Sequence, residues 1–304
     1  MKFQDIKIKD AEFFIKRDVE FNITGLATKT YAEHDRVLSY VESEKYIPVL
    51  LRNKNIVAAV CPLKVAEVLS KEFDGGICVA EQTRTMFFKI HNYLAAETEM
   101  FGSVKPTVIS PKANIHPTAI IADRNVIIGD NVTIGAYVTV NENTEIGDNT
   151  LIMEHCVVGS PGFYYFGEDS ERTLVKAAGG VKIGSNVTLH PGTTIENGVF
   201  GKNTVIEDNI KIDNHVLISH DCVIKRNTLI AGGVTLAGHV VVGENTFLGM
   251  GSVAVPMMTI GKNVLISAGS VVTKNVPDDV HYSGNFAIEH DLFINSLKNK
   301  ITRI

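Results

Sequence analysis

A chain of 304 residues with 45% hydrophobic and 21% charged residues has ample material for a buried core, and its composition is that of a soluble globular protein. A formal net charge of −5 leaves no basic footprint for a nucleic-acid polymer or an anionic membrane surface. The start, MKFQDIKIKDAEFF, lacks the apolar run of a secretory leader, and no stretch approaches the ~18 residues of a membrane span. Cys61, Cys78, Cys156 and Cys222 show no CxxC spacing, so reduced thiols in a cytoplasmic protein are expected.

Residues 1–105 carry no repeat. NIVAAV (55–60) and GICVA (76–80) read as short buried strands, separated by a helical pattern around Val65, Val68 and Leu69. A second helical stretch places Met86, Phe87, Ile90 and Leu94 on one face. Strand–helix–strand–helix order predicts a small α/β layer domain. The segment FGSVKPTVISPKA (101–113), with a glycine and two prolines, reads as a linker.

From IHPTAI (115–120) onward a six-residue period sets in, at Ile128, Ile134, Val140, Ile146, Ile152 and Val158. It is interrupted by GSPGFYYFGEDSERTLVKAAGG (159–180), resumes at Ile183, Leu189 and Ile195, and slips near Gly201. It then runs unbroken through Ile206, Ile212, Ile218, Ile224, Ile230, Leu236, Val242, Leu248, Ala254, Ile260, Ile266 and Val272. A hexapeptide period is the signature of a parallel β-helix.

Four places after each inward aliphatic stands a small residue, a valine or a threonine, such as Cys222, Thr228, Val234, Val240 and Ser252, with Ile210 and Met258 as exceptions. Two inward positions in six match a three-sided prism of eighteen residues per coil. The segment 159–180 is too long for a corner and is expected as an ejected loop, its aromatics Phe163, Tyr164, Tyr165 and Phe166 packing onto a neighbouring prism. In the tail, Phe286, Leu292, Phe293 and Leu297 share one helical face. The expected organisation is an α/β domain (1–105), a β-helix domain (106–284) with the loop 159–180, and a helical cap (285–304) closing the open end.

Ten histidines are present. His34, His91, His281 and His290 sit in no constellation and read as solvated or structural; His116 and His190 each precede a proline, which reads as corner geometry. His220 lies two places after Ile218, outside the inward positions, so it is not a core histidine. One coil of eighteen residues further on stands Gly238, expected ~4.8 Å away. A glycine leaves its N–H open to a ligand, beside an imidazole able to act as a base at neutral pH. Base and unobstructed donor are the minimal pair for acyl transfer. Asp221, directly after His220, and Asp213, seven places before it, both qualify to orient the ring. His215 and His220 have a spacing similar to that of the γ-class carbonic anhydrases, but His190 sits at a different position in its hexapeptide and offers no third ligand. No metal is expected.

The string ISHDCVIKRNTLIAGGVTLAGHVVVG (218–243), with its HDC triplet and the LAGH quartet ending at His239, resembles the active-site coils of left-handed β-helix acyltransferases. These include the lipid A acyltransferases and bacterial nucleotide-sugar acetyltransferases. The resemblance implies a left-handed helix, His220 as general base and the Gly238 N–H as oxyanion donor. Through IDN (212–214) it implies Asp213 as a histidine partner, with Asn214 and His239 lining the sugar pocket. VLSYVESEKYIPVLL (37–51) resembles the uridine-binding element of the UDP-3-O-acylglucosamine N-acyltransferases, where two aromatics six residues apart sandwich the base. Here these are Tyr40 and Tyr46, with Ser43 where that family has a sugar-contacting asparagine.

Two departures stand out. SVAVPMMTIG (252–261) carries Pro256 and Met257 where the lipid A enzymes have a second histidine, and AGSVVTKNVPDD (268–279) with the short tail is more similar to coenzyme A-dependent sugar acetyltransferases. The resemblance therefore implies an N-acyltransferase for surface polysaccharide synthesis. It would move a short acyl group from acyl-coenzyme A, a co-substrate and not a bound cofactor, to the amine of a UDP- or dTDP-linked amino sugar. The resemblance also implies a homotrimer with sites between subunits; the sequence itself says only that catalytic groups outside a narrow prism need another wall to exclude water. The alternatives are the UDP-3-O-acylglucosamine N-acyltransferase of lipid A synthesis, with acyl carrier protein as donor, and a non-catalytic solenoid scaffold.

Overall fold

Five strands form the N-terminal sheet: β1 (Phe14–Arg17), β2 (Ile23–Thr24), β3 (Val37–Tyr40), β4 (Ile56–Cys61) and β5 (Gly76–Val79), in the order β1-β5-β4-β3-β2. β1 runs antiparallel to β5 and the other neighbours are parallel. The computed structural model describes residues 1–8, 12–167 and 172–284, with Leu292, Ile294, Asn295 and Lys298 of the tail. The two apolar runs of the sequence form β4 and β5. They sit inside the sheet, where both faces are covered and every second residue need not be polar. The helices are α1 (Ile47–Arg52), α2 (Leu63–Leu69) and α3 (Thr83–Glu97). β1, β2, β3 and α1 carry no period strong enough to read from sequence.

α3 buries more than the expected stripe. Met86, Phe87, Ile90 and Leu94 are buried as anticipated, but Phe88 and His91 are fully buried too. The reason is the loop after residue 160, which folds back onto this helix. Phe88 contacts the rings of Tyr164 (5.3 Å), Phe166 (5.6 Å) and Phe200 (6.3 Å). The expected packing onto a neighbouring prism is therefore corrected for half of the aromatic run: Phe166 is in the core and Tyr164 packs against it, while Phe163 is 90% exposed. The loop carries its own antiparallel pair, Tyr165–Phe166 with Thr173–Leu174. His91 ties the layers together: its Nε2–H donates to the Lys176 carbonyl at 2.8 Å, which leaves Nδ1 to accept from the Thr24 hydroxyl at 2.7 Å.

The rest of the described chain is a left-handed parallel β-helix with three faces. Its first rung, Val108–Ile109, pairs with Ile127 and Ile128, so the winding starts inside the segment that reads as a linker. Rungs one coil apart lie in register, as in Val205↔Val223↔Val241↔Thr259 on the first face and Leu217↔Thr235↔Val253↔Val271 on the third. Ile146 pairs with Ile183, and Ile183 with Ile206, so the ladder passes under the ejected loop and a smaller excursion at 197–203 without losing a face. All twelve periodic residues from Ile206 to Val272 are buried, Val272 the most exposed at 7%. Of the expected cap over 285–304, four residues are described and all are helical; the remainder lies outside the described residues.

Corners use left-handed backbone once in every six residues, as at Asn209 (φ 57°), His215 (φ 55°), Asp221 (φ 58°), Asn227 (φ 61°) and His239 (φ 65°). Asparagine tolerates this region better than most side chains. Along the edge between the first and second faces it also forms a ladder: Asn209 donates to Asn227 (2.9 Å), Asn227 to Asn245 (3.0 Å), and Asn245 to Asn263 (3.1 Å). Asn227→Ala, which loses both ladder bonds and keeps a Cβ at positive φ, should cost about 1–2 kcal/mol. Asn227→Gly, free of the backbone penalty, should cost less. Urea midpoints check this; equal losses would remove backbone strain from the account.

Candidate active site

The turn Ser219–Cys222 joins the third face to the first. Ile218 and Cys222 are both buried, which pins the chain on either side and turns His220 outward. Asp221 takes the left-handed corner position, and its N–H donates to Thr204 Oγ1 at 2.9 Å. Its Oδ2 accepts from the Val199 amide (3.1 Å) and from His220 Nδ1 (2.9 Å). A carboxylate has no proton to give, so the Nδ1–H belongs to the imidazole and Nε2 is left with a lone pair.

Nε2 lies against the next coil. A Cβ on Gly238 would stand 2.5 Å from His220 Cε1 and 2.6 Å from Nε2, so only glycine fits. His239 donates its amide N–H to the His220 carbonyl at 2.9 Å, whereas the Gly238 N–H donates to no acceptor among the described residues. The stacked pair expected from the eighteen-residue count is therefore present, and it has an unused donor.

The imidazole is held from several sides. Tyr164 stacks parallel to it (5.4 Å, 7°), and the His239 ring stands perpendicular (5.1 Å, 87°). The Gly162 backbone packs so close that a Cβ there would come within 2.9 Å of His220 Cδ2. Glu196 Oε2 accepts the His220 amide at 3.0 Å. Side-chain exposure is only 13% for His220 and 10% for both Asp221 and His239. Burial pushes the Tyr164 hydroxyl up to about 12 and raises the Glu196 carboxyl, the latter opposed by the His220 amide. Burial also pushes His239 down to about 4 against the pull of Asp221, so this ring is neutral at pH 7. His239 stacks in turn on Phe200 (6.4 Å, 11°).

Four of the expected residues, His220, Asp221, Gly238 and His239, meet at this edge. Asp213 and Asn214 do not. They belong to the corner between the second and third faces, a full strand away, where Asp213 accepts from the amides of Asn214 (2.8 Å) and Gly232 (3.1 Å). In this chain the partner of His220 is Asp221. His215 shares the Asp213 corner, one prism edge away from His220. His220, Asp221 and His239 do offer three ligand atoms within 4.8 Å of one another.

Tyr40 gives its ring to the core, against Phe87 (4.9 Å) and Phe88 (6.1 Å), while Tyr46 is 50% exposed with the Lys45 ammonium 4.7 Å above its ring. Ser43 Oγ is buried without a hydrogen-bond partner. Neither tyrosine lines the cavity that holds Asp221 and His239. Sequence reading missed Glu196 and Tyr164. Ile195 pairs with Ile218, so Glu196 follows the rung beside His220, a match visible only by counting across the excursion at 197–203. Tyr164 sits in the ejected loop, where no period operates.

Fold and corner chemistry together define a hexapeptide-repeat protein of the left-handed β-helix class. Two segments match family models: the bacterial transferase hexapeptide (six repeats) over residues 125–160, and the hexapeptide repeat of succinyl-transferase over 239–274. Over 41 residues, 14% of this chain and 20% of the relative, it is 51% identical to the galactoside O-acetyltransferase of Lactococcus lactis subsp. lactis (strain IL1403). The match thus spans a fifth of that relative's length. Among solved structures, the UDP-N-acetylglucosamine acyltransferase of Francisella novicida is 27% identical, with 59% of this chain and 65% of that one covered and a TM-score of 0.47. The Campylobacter jejuni UDP-N-acetylglucosamine acyltransferase is 26% identical over 60% and 81% of the two chains, with a TM-score of 0.46. No helix among the described residues is long and apolar enough to cross a membrane.

His91, like His239, is held near 4 by burial. An unfolded histidine takes a proton near 6.5, so between pH 6.5 and 4 the unfolded chain binds protons that the folded one refuses. Stability should therefore fall as pH drops through this window. His91→Gln should have a lower Tm at pH 7 but a shallower fall from 7 to 4.5. Parallel Tm curves for the two proteins would contradict the assignment.

Proposed function

We propose that this protein is an N-acyltransferase that moves a short acyl group from acyl-coenzyme A to the amine of a nucleotide-linked amino sugar, UDP or dTDP. The observation that carries the reading is the bare Nε2 of His220 lying against Gly238, whose N–H is unspent, with Asp221 behind the ring. The sugar amine attacks the thioester carbonyl, and its proton passes to Nε2 as the C–N bond forms. The Gly238 N–H takes the negative charge that develops on the carbonyl oxygen. Collapse breaks the C–S bond, and the imidazolium, steadied by Asp221, protonates the departing thiolate. Neutral His239 supplies a polar wall without competing for the proton. The match to transferase hexapeptide repeats supports group transfer. Surface polysaccharide synthesis in the cytoplasm by a homotrimer is the setting that follows from this reading.

Thiol release tests it, with acetyl- and 3-hydroxybutyryl-coenzyme A offered against UDP- and dTDP-amino sugars. Turnover is expected with coenzyme A donors. Turnover only with a long chain on acyl carrier protein would move the activity to lipid A acylation, and no thiol release with any pair would leave a scaffold. Gly238→Ala, which drives a Cβ into the imidazole, should lower kcat by about 10²-fold or more. His220→Ala should slow turnover by about 10²-fold without abolishing it, because a neutral amine attacks with little help.

A further inference from the structure

Beside the His220–Gly238 pair, on the side of Asp221 and His239, lies a cavity of about 770 Å³. One side is a ladder of outward side chains one coil apart on the first face, Val205, Val223 and Val241. Asp221 and His239 form part of its lining, and the segment 28–31 before β3 contributes Lys29 and Tyr31.

Lys29 is the unusual group. Its side chain is half-buried, and burial lowers its pKa against the pull of Asp221. Yet its ammonium makes no hydrogen bond or ion pair among the described residues. Lys202, the other cation of the cavity, is fully engaged: it pairs with Asp35 at 3.0 Å and lies 4.8 Å over the Tyr31 ring. Asp221 pulls on Lys29 from a distance but forms no ion pair with it among the described residues, and its Oδ2 already takes the Val199 amide and the His220 imidazole. A partly desolvated ammonium is costly unless an anion reaches it. The neighbouring His239 is neutral at pH 7 and adds no positive charge of its own, so Lys29 is the only unspent cation in the lining among the described residues.

We propose that this cavity is an anion-binding subsite anchored by Lys29, taking a phosphate or carboxylate of a substrate whose apolar part lies along the valine ladder. Two sources fit the chemistry: the diphosphate of the acceptor, or a carboxylate on the transferred acyl group. Assigning the anion to a substrate rests on the acyl-transfer reading; the binding of the anion does not.

Calorimetric titration of the full chain with UDP, pyrophosphate and succinate tests the subsite without turnover. The wild type should bind at least one probe, Lys29→Met should weaken it at least about tenfold, and Lys29→Arg should restore most of the affinity. Loss confined to UDP and pyrophosphate assigns the site to the acceptor's phosphates; loss confined to succinate assigns it to an acyl carboxylate. Equal affinities in the wild type and Lys29→Met, or no binding by the wild type, would overturn the proposal. Lys29→Met should melt at or above the wild-type temperature, since no partner is lost. A marked fall in Tm would make Lys29 structural and would also overturn it. A protein that loses pyrophosphate on Lys29→Met but releases no thiol would keep the subsite and lose the transfer reading.

Discussion

The coil register is the constraint on which the site depends. Each rung bonds to the rung one coil away, and the inward aliphatics allow no slip, because a shift of one residue would turn the whole buried row out to solvent. That locking places Gly238 against His220 and lets the imidazole lie where any other side chain would collide. It also leaves corners as the places where backbone groups can be free. Strand residues spend their N–H groups on the ladder, whereas the Gly238 amide, in a turn, has none to spend it on.

Corner backbone explains why the reactive residues cluster on one edge. The edge between the first and second faces repeats asparagine with its ladder of side-chain bonds. The edge between the third and first faces starts the same way, with Asn125 donating to Asn143 at 3.0 Å. At the site the equivalent left-handed positions are Asp221, His239 and Met257 (φ 68°). The edge there exchanges an amide ladder for a carboxylate, an imidazole and a thioether. A methionine at positive φ gains nothing for the backbone, costing about 1 kcal/mol by the usual preference, so its place is set by what it faces: the cavity with Asp221 and His239.

What could be read from the sequence follows from the same physics. A ladder of stacked identical units writes itself into the chain as a period, so the buried row and the His220–Gly238 stack follow from counting. Contacts that cross between unlike elements leave no period. Tyr164 reaches His220 from a loop, Phe88 and His91 bury a second side of α3, and Lys29 enters from a segment with no pattern of its own. Asp213 misled for a related reason. Seven residues along the chain is near in sequence, yet it crosses a prism face, and the carboxylate ends beside its own corner amides. Tyr40 shows the limit of spacing in a non-repeating domain, where six residues say nothing about which ring the core will claim.

The central claim is that one imidazole nitrogen and one glycine amide act on the same reacting carbon. A crystal structure with a non-hydrolysable thioester analogue and a nucleotide amino sugar tests it most directly. The account predicts the analogue's carbonyl oxygen accepting from the Gly238 N–H, with the sugar nitrogen within hydrogen-bond reach of His220 Nε2. A carbonyl bound away from Gly238, or an amine held on the far side of Asp221 from Nε2, would contradict it.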